Sequence, residues 1–176
     1  MNKKLTTYEL HKVFIDSLYP AVLSHSDLNE KPLLVALDSP HCMKLKIYLF
    51  NCTNPPGARQ AGECKSQLIL PGQQRGERGH FELDPDYKTL LVGFCTVTED
   101  IQDGSYVLWD LKKHMEFAYS ANVQVALSTL LRSYTEPVFC MKKRGNGEWI
   151  VVCQRTHLLE AIYMRMNKDI DLLLEG

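Results

Sequence analysis

The chain has 176 residues, 45 % of them hydrophobic and 23 % charged, with a formal net charge of −1. That length supports one ordinary hydrophobic core and is short for two, and near-neutral charge excludes a bulk polycation while leaving room for positive charge gathered on one face. No apolar run approaches the roughly 20 residues of a bilayer-spanning helix, and the opening "MNKKLTTYELHK" lacks the apolar stretch of a secretory signal, so a cytoplasmic protein with no membrane association is expected.

The first predicted element is a helix. Thr6 and Glu9 have the spacing of a capping box, and Leu5 is placed to staple onto Leu10. Leu10, Val13, Phe14 and Leu18 share one helical face, His11 falls on the polar side, and Pro20 stops or kinks the helix. After "SHSDLNEKP" the pattern turns to short apolar runs. "LLVAL" (33–37), "LKIYLF" (45–50), "SQLIL" (66–70), "TLLVGFCTV" (89–97) and "SYVLWDL" (105–111) read as strands, bounded by Pro, Gly, Asn and Asp at the interval of a barrel or sandwich. Residues 137–154, "PVFCMKKRGNGEWIVVCQ", read as a hairpin whose tip, Arg144 to Gly147, tolerates positive φ. In "SANVQVALSTLLRSY", Val123, Leu127, Leu130 and Leu131 predict a helix opened by Ser120 to Asn122. The end reads as a helix capped by Thr156, with Leu158, Leu159, Ile162, Tyr163 and Met166 inward. The expectation is one α+β domain over residues 1–176, a strand-rich open barrel with flanking N-terminal and C-terminal helices.

Cysteines 42, 52, 64, 95, 140 and 153 form no Cys-x-x-Cys, and most lie in apolar runs, so reduced thiols packed as small hydrophobes are expected. His41 and Cys42 are a possible ligand pair, but no second pair completes a zinc site. No metal and no cofactor is expected.

Residues 51–81, "NCTNPPGARQAGECKSQLILPGQQRGERGHF", carry the polar material. Arg59, Gln60, Lys65, Gln73, Gln74, Arg75 and Arg78 lie between strand-like runs, and Lys142, Lys143, Arg144 and Asn146 lie at the hairpin tip. Arginine pairs bidentately with guanine and glutamine or asparagine with adenine, while lysines and glycine-rich turns meet phosphates. The same composition also fits plain solvated loops. Glu63-Cys64-Lys65 has the Glu-x-Lys spacing of a metal-dependent nuclease, for which the nearest upstream aspartate is Asp38. An exposed ion pair is the plainer reading of that spacing. Trp109, Phe117 and Tyr119 fit the core, but an exposed Trp109 or Tyr119 could stack on an extruded base, and a helix opening at Tyr119 to Asn122 could hold phosphate.

The ordered string "KIYLFNCTNPPGARQAGECKSQLILPGQQRGERGHFELD…LLVGF…YVLWDLKKHMEFAYSANVQV" resembles the DNA-recognition domains of bacterial restriction endonucleases over roughly residues 45 to 160. The shared pattern is a Glu-Tyr-Lys-Ile-Gln-like block, a Gly-Gln-Arg-Gly-like turn, a Val-Leu-Trp-Asp strand end and a Tyr-Ser-x-Asn-x-Gln-Val element. Here Cys64 and Ser66 replace the Tyr and Ile of the block, leaving Glu63, Lys65 and Gln67 alternating on one face. The resemblance implies a B3-like pseudobarrel that grips the major groove with two arms. Arg59, Lys65 and Gln67 would lie on one arm, followed by Gln73, Arg75 and Arg78, and Tyr119, Ser120 and Asn122 on the other.

On that basis the chain is expected to bind double-stranded DNA sequence-specifically, as the N-terminal specificity module of a longer restriction enzyme. Lys65, Lys142, Lys143 and Arg144 would position the phosphate backbone. Arg59, Gln60, Gln73, Arg75, Arg78 and Asn122 would contact base edges, with Gln74 and Asn146 beside them. Cleavage would belong to a nuclease or NTPase module in the same chain or complex. The alternatives are a small metal-dependent nuclease using Asp38, Glu63 and Lys65, and a protein-interaction domain.

Overall fold

Two strands of this protein have no polar face. The computed structural model describes residues 4–54, 62–136 and 138–176, and in it the strands that form from "TLLVGFCTV" and "SYVLWDL" are buried on both sides. An apolar run without alternation fits a strand covered by two layers, and the remaining elements supply those layers.

In chain order the elements are α1 (Thr7–Leu18), β1 (Val22–His25), β2 (Leu33–Leu37), β3 (Lys44–Thr53), β4 (Glu63–Leu68), β5 (Arg78–His80) and β6 (Lys88–Thr96). They continue with β7 (Gly104–Trp109), β8 (Glu116–Ala118), β9 (Ala121–Ala126), α2 (Leu127–Arg132), β10 (Phe139–Lys143), β11 (Trp149–Gln154) and α3 (Leu158–Glu175). The main sheet runs β1-β2-β3-β6-β7-β11-β10, with β3 and β6 parallel and the other neighbours antiparallel. β4 branches from the end of β3 and pairs with β9, while β5 and β8 form a separate ribbon. The architecture is α+β and strand-rich, and among the described residues the sheet does not close into a barrel.

One face of the main sheet packs Leu45, Ile47, Leu90, Val92, Tyr106 and Val151 against α1 and α3. The other packs Tyr48, Leu91, Val107, Trp109 and Val152 beneath β4, β9, α2 and the ribbon. β4 crosses over β6, where Cys64 Sγ lies 3.8 Å from Cys95 Sγ, and β9 crosses β7, where Trp109 Nε1–H donates to the Gln124 carbonyl at 3.2 Å. The room for this crossing is made by Gly93. A Cβ there would stand 2.6 Å from the Trp109 ring and 2.9 Å from Ser66 Oγ.

The capping box forms as the sequence predicts. Thr6 Oγ1 accepts from Glu9 N at 3.2 Å and the Glu9 carboxylate accepts from Thr6 N at 2.7 Å. His11 departs from its expected polar side. It is fully buried, with Nδ1–H donating to the Leu28 carbonyl at 2.8 Å, because the loop before β2 folds over this flank of α1. The helix expected from residue 120 is shorter. Residues 121–126 form β9, whose Val123 and Val125 alternate inward, and only Leu127–Arg132 is helical. At the C-terminus Thr156 lies in a 3-10 turn and α3 starts at Leu158 without a side-chain cap. Its buried face is Leu158, Ala161, Ile162 and Arg165, which leaves Tyr163 and Met166 half-buried. Arg165 can sit inside because its guanidinium donates to Asp169 and to the Trp149 carbonyl. The cysteines form no disulfide, and all but Cys42 are buried.

Gly93→Ala forces a methyl against Trp109 where β4 crosses β6. It is expected to destabilise the fold by about 1–3 kcal/mol, read as a lower urea midpoint, with near-ultraviolet circular dichroism reporting the displaced indole.

Candidate nucleic-acid interface

The candidate site is built where β3 leaves the main sheet. Up to Asn51 the strand pairs with β6, and from Cys52 it pairs with β4. Alternation along β4 puts Cys64, Ser66 and Leu68 into the core and leaves Glu63, Lys65 and Gln67 on the outer face. β9 does the same with Val123 and Val125 inside and Asn122 and Gln124 outside. Gln67 is the register partner of Asn122 and Lys65 of Gln124, so three carboxamides and an ammonium group share one surface.

Beside that surface lies a cleft of about 520 Å³, lined by Lys4, Leu5, Thr7, Leu10, Lys31, Phe50, Asn51, Thr53, Lys65, Gln67, Ile69 and Asn122. Among the described residues its lining carries three ammonium groups and no carboxylate. Asn51 fixes one wall. Its Oδ1 accepts from Leu5 N and its Nδ2 donates to the Leu5 carbonyl, both at 2.8 Å, holding the segment that carries Lys4 against β3. Lys31 enters from the residues before β2, with Nζ 3.8 Å from the centroid of the Phe50 ring. Burial pulls its pKa down to about 8.

A second cleft of about 610 Å³ is lined by Arg75, Gly76, Glu77, Arg78, Ala118, Tyr119 and Ser120. Its frame is the β5–β8 ribbon, in which Arg78 pairs with Ala118 and Gly79 with Phe117. The Phe117 ring covers Gly79 so closely that a Cβ would come within 2.3 Å of it. The turn leading in is braced from inside. Gln73 Oε1 accepts from Leu70 N and its Nε2 donates to the Glu77 carbonyl, each at 3.1 Å, while Gln74 N donates to the Glu77 carboxylate at 2.7 Å. Arg78 Nε lies 3.8 Å from the Glu116 carboxylate, both side chains well exposed. Ser120, at φ 59°, makes the bend from β8 into β9. Tyr119 and Ser120 thus face the second cleft and Asn122 the first, from one short segment.

The structure therefore brings Lys65, Gln67 and Asn122 together in one cleft and Arg75, Arg78, Tyr119 and Ser120 around another. Arg59 and Gln60 lie outside the described residues. Trp109 is core, and Tyr119 to Asn122 opens a strand, so no helix N-terminus stands there. Asp38 follows β2 at the Lys44 end of β3, whereas Lys65 pairs with Thr53, nine residues further along. That is about 30 Å of strand, so Asp38, Glu63 and Lys65 do not share a site. Among the described residues no group of three or more His, Cys, Asp or Glu side chains could hold a metal ion. Sequence reasoning missed Lys4 and Lys31. No spacing links them to Lys65, and only the β2–β3 pairing and the Asn51 clamp bring them close.

Fold and clefts define a small α+β domain with a cationic, carboxamide-rimmed face. A family model described as Methylase-associated X1 matches residues 43–162, roughly two thirds of the chain, and the chain belongs to that family. The family's name sets it beside methylases, which points to a restriction-modification context. No curated protein and no solved structure matches the chain. No helix among the described residues is long and apolar enough to cross a membrane.

Within the matched span, the hairpin residues stand apart from both clefts. β10 is the far edge of the main sheet, and its Lys143 end lies level with Trp149, away from the Asn51 end of β3. Lys142 and Lys143 are exposed. Arg144 donates to the Glu148 carboxylate at 2.6 Å, and Asn146 Oδ1 accepts from Glu148 N at 3.0 Å. Glu148 is fully buried and also accepts from His114 Nε2 at 2.7 Å and Asp110 N at 3.2 Å. Burial alone would raise its carboxyl, but the hydrogen bond and charge of His114, then those of Arg144, outweigh it and hold the pKa below the usual value. A depressed carboxylate stabilises the fold above its unfolded pKa, and that contribution disappears as pH falls through the folded value. Glu148→Ala is expected to cost about 3–5 kcal/mol, because Arg144 and His114 lose their buried partner. Chemical denaturation at pH 7 and pH 3 checks both points, since the gap between wild type and variant should narrow in acid.

Proposed function

We propose that this domain is the target-recognition module of a restriction-modification system, reading double-stranded DNA for a restriction endonuclease. The observation that carries the reading is the convergence of Lys4, Lys31, Lys65, Gln67 and Asn122 on one cleft, with Arg75, Arg78, Tyr119 and Ser120 on the next. A chain of formal net charge −1 has gathered cations and carboxamides on one face, and that is the composition of a surface that positions on phosphates and reads base edges. On this reading the two clefts are the two arms of a B3-like recognition domain, and the β4–β9 surface lies along the major groove.

In the proposed mechanism Gln67 and Asn122, side by side across β4 and β9, offer a donor and an acceptor each to adenine edges, and Arg75 and Arg78 pair with guanine or phosphate. Lys65 sets the register on the backbone. Tyr119 and Ser120 contact the sugar-phosphate chain next to the second cleft. Gln73 and Gln74 hold the arm in shape through Glu77 and act on DNA through Arg75. Lys142 and Lys143 meet a separate stretch of backbone. The domain is the N-terminal module of a longer enzyme in the bacterial cytoplasm, and cutting resides in a nuclease or NTPase partner module.

Selection from a randomised duplex library, methylated and unmethylated, tests the reading. One short motif should be enriched without cleavage, and affinity should fall steeply with salt as counterions are released. Gln67→Ala and Asn122→Ala should each relax discrimination at one position by about 1–3 kcal/mol, whereas Lys65→Ala should weaken all sequences alike. Absence of duplex binding at low salt would overturn the proposal.

A further inference from the structure

Lys31 holds a charge in a place that disfavours it. Its side chain is half-buried, its ammonium group sits over Phe50, and among the described residues no carboxylate forms an ion pair with it. Contact with an aromatic face offsets part of the lost hydration and leaves the remainder. The groups around it do not help. On the cleft side are Lys4, before α1, and Lys65, on β4, both cations. His11 on α1 is kept neutral by burial, with the nearby Lys31 charge adding to the effect. Glu30, Lys46 and Asp84 flank Lys31 on its other side, along a neighbouring groove. Glu9 is taken up by the capping box, and Glu63 shares the outer face of β4 with Lys65.

Three cations brought from separate segments around one opening suit a ligand that is itself anionic and rich in acceptors. We propose that Lys4, Lys31 and Lys65 form a phosphate clamp that seats one phosphodiester of the bound DNA, presenting the adjoining base to the Gln67–Asn122 carboxamide pair. The inference deepens the recognition reading and rests on it. A phosphodiester carries a full negative charge and acceptor oxygens for three ammonium donors, with the hydroxyls of Thr7 and Thr53 in the same lining. Seated there, it gives Lys31 the ion-pair partner that no described carboxylate supplies.

The clamp has a signature in pH. In the free protein Lys31 loses its proton near pH 8, well below the ordinary lysine value of about 10.4. A bound phosphate favours the charged form, so above pH 8 binding takes up a proton and affinity falls by up to about tenfold per pH unit until the ordinary lysine range. Arginine at this position would stay charged throughout.

The experiment is a binding titration of the full chain with a duplex bearing the selected motif, at pH 7 and pH 9 and matched ionic strength. Wild type is compared with Lys31→Met and Lys31→Arg, each first checked by thermal melting. Wild type should bind more weakly at pH 9. Lys31→Met should lose about tenfold or more at pH 7 and lower the salt slope by roughly one charge, and Lys31→Arg should bind at pH 7 and keep its affinity at pH 9. A Lys31→Met protein, or if that fails to fold a Lys31→Arg protein, with the affinity and pH profile of wild type overturns the clamp while leaving the recognition reading intact. If no duplex binds to wild type, the recognition reading fails, and inorganic pyrophosphate decides the clamp alone. Pyrophosphate binding that Lys31→Met abolishes supports the three-lysine anion seat without DNA as its ligand, and no pyrophosphate binding, or binding that Lys31→Met leaves unchanged, overturns it.

Discussion

A sheet whose central strands are apolar on both faces must be covered twice, and the rest of this molecule follows from how that is done. One cover is conventional, with α1 and α3 lying on the first face. The second is made by the sheet itself. β3 pairs with β6 until Asn51, then gives its last residues to β4, which carries the chain back over β6 and, through β9, over β7. The crossing needs a gap in the layer below, and Gly93 is that gap, filled by the Trp109 ring and Ser66 Oγ. Hydrophobic burial drives the return, and the absence of a side chain at one position permits it.

The first cleft is a by-product of the same turn. A strand that changes partners leaves a crook at the point of change, and the segment leading into α1 closes one side of it through the two hydrogen bonds between Asn51 and Leu5. The side chains that line it therefore come from segments far apart in the chain. The second cleft depends on a different device, a ribbon too small for a core of its own, whose Phe117 packs over Gly79 and into the second core beside Phe81. The segment from Tyr119 to Asn122, bent at Ser120, joins the two openings directly, and residues 69–75 join them a second time.

The parts legible from sequence were those governed by local rules. The capping box at Thr6 and Glu9, the five apolar strands and the hairpin around Gly147 are each written in a few adjacent residues, and each formed. The face of β4 was legible too, since alternation alone puts Lys65 and Gln67 together. What failed was decided at long range. Residues 121–126 carry Val, Gln, Val in strict alternation, a strand pattern, but the leucines that follow at helical spacing drew the helix boundary too early. Arg165 had no place on the predicted inward face of the last helix, because its partners Asp169 and the Trp149 carbonyl converge only in the fold. Lys31 carried no signal, for its meaning comes from Phe50, 19 residues away on a paired strand. Arg144 and Asn146 looked free at a hairpin tip, and it is buried Glu148, itself unremarkable in sequence, that engages them.

The two-faced construction of β4 and β9 bears on how such a domain can change over evolutionary time. Positions 64, 66, 68, 123 and 125 are committed to the core, and each is flanked by a position on the outer face. Residues 65, 67, 122 and 124 can be exchanged for other polar types without disturbing a buried contact, while the paired backbone keeps their spacing fixed. A lineage could redraw this surface one substitution at a time and keep the same scaffold. An insertion or deletion of one residue in either strand would do the opposite, turning core side chains outward and outer-face side chains in. Diversity along these strands should therefore accumulate by replacement, with length held constant.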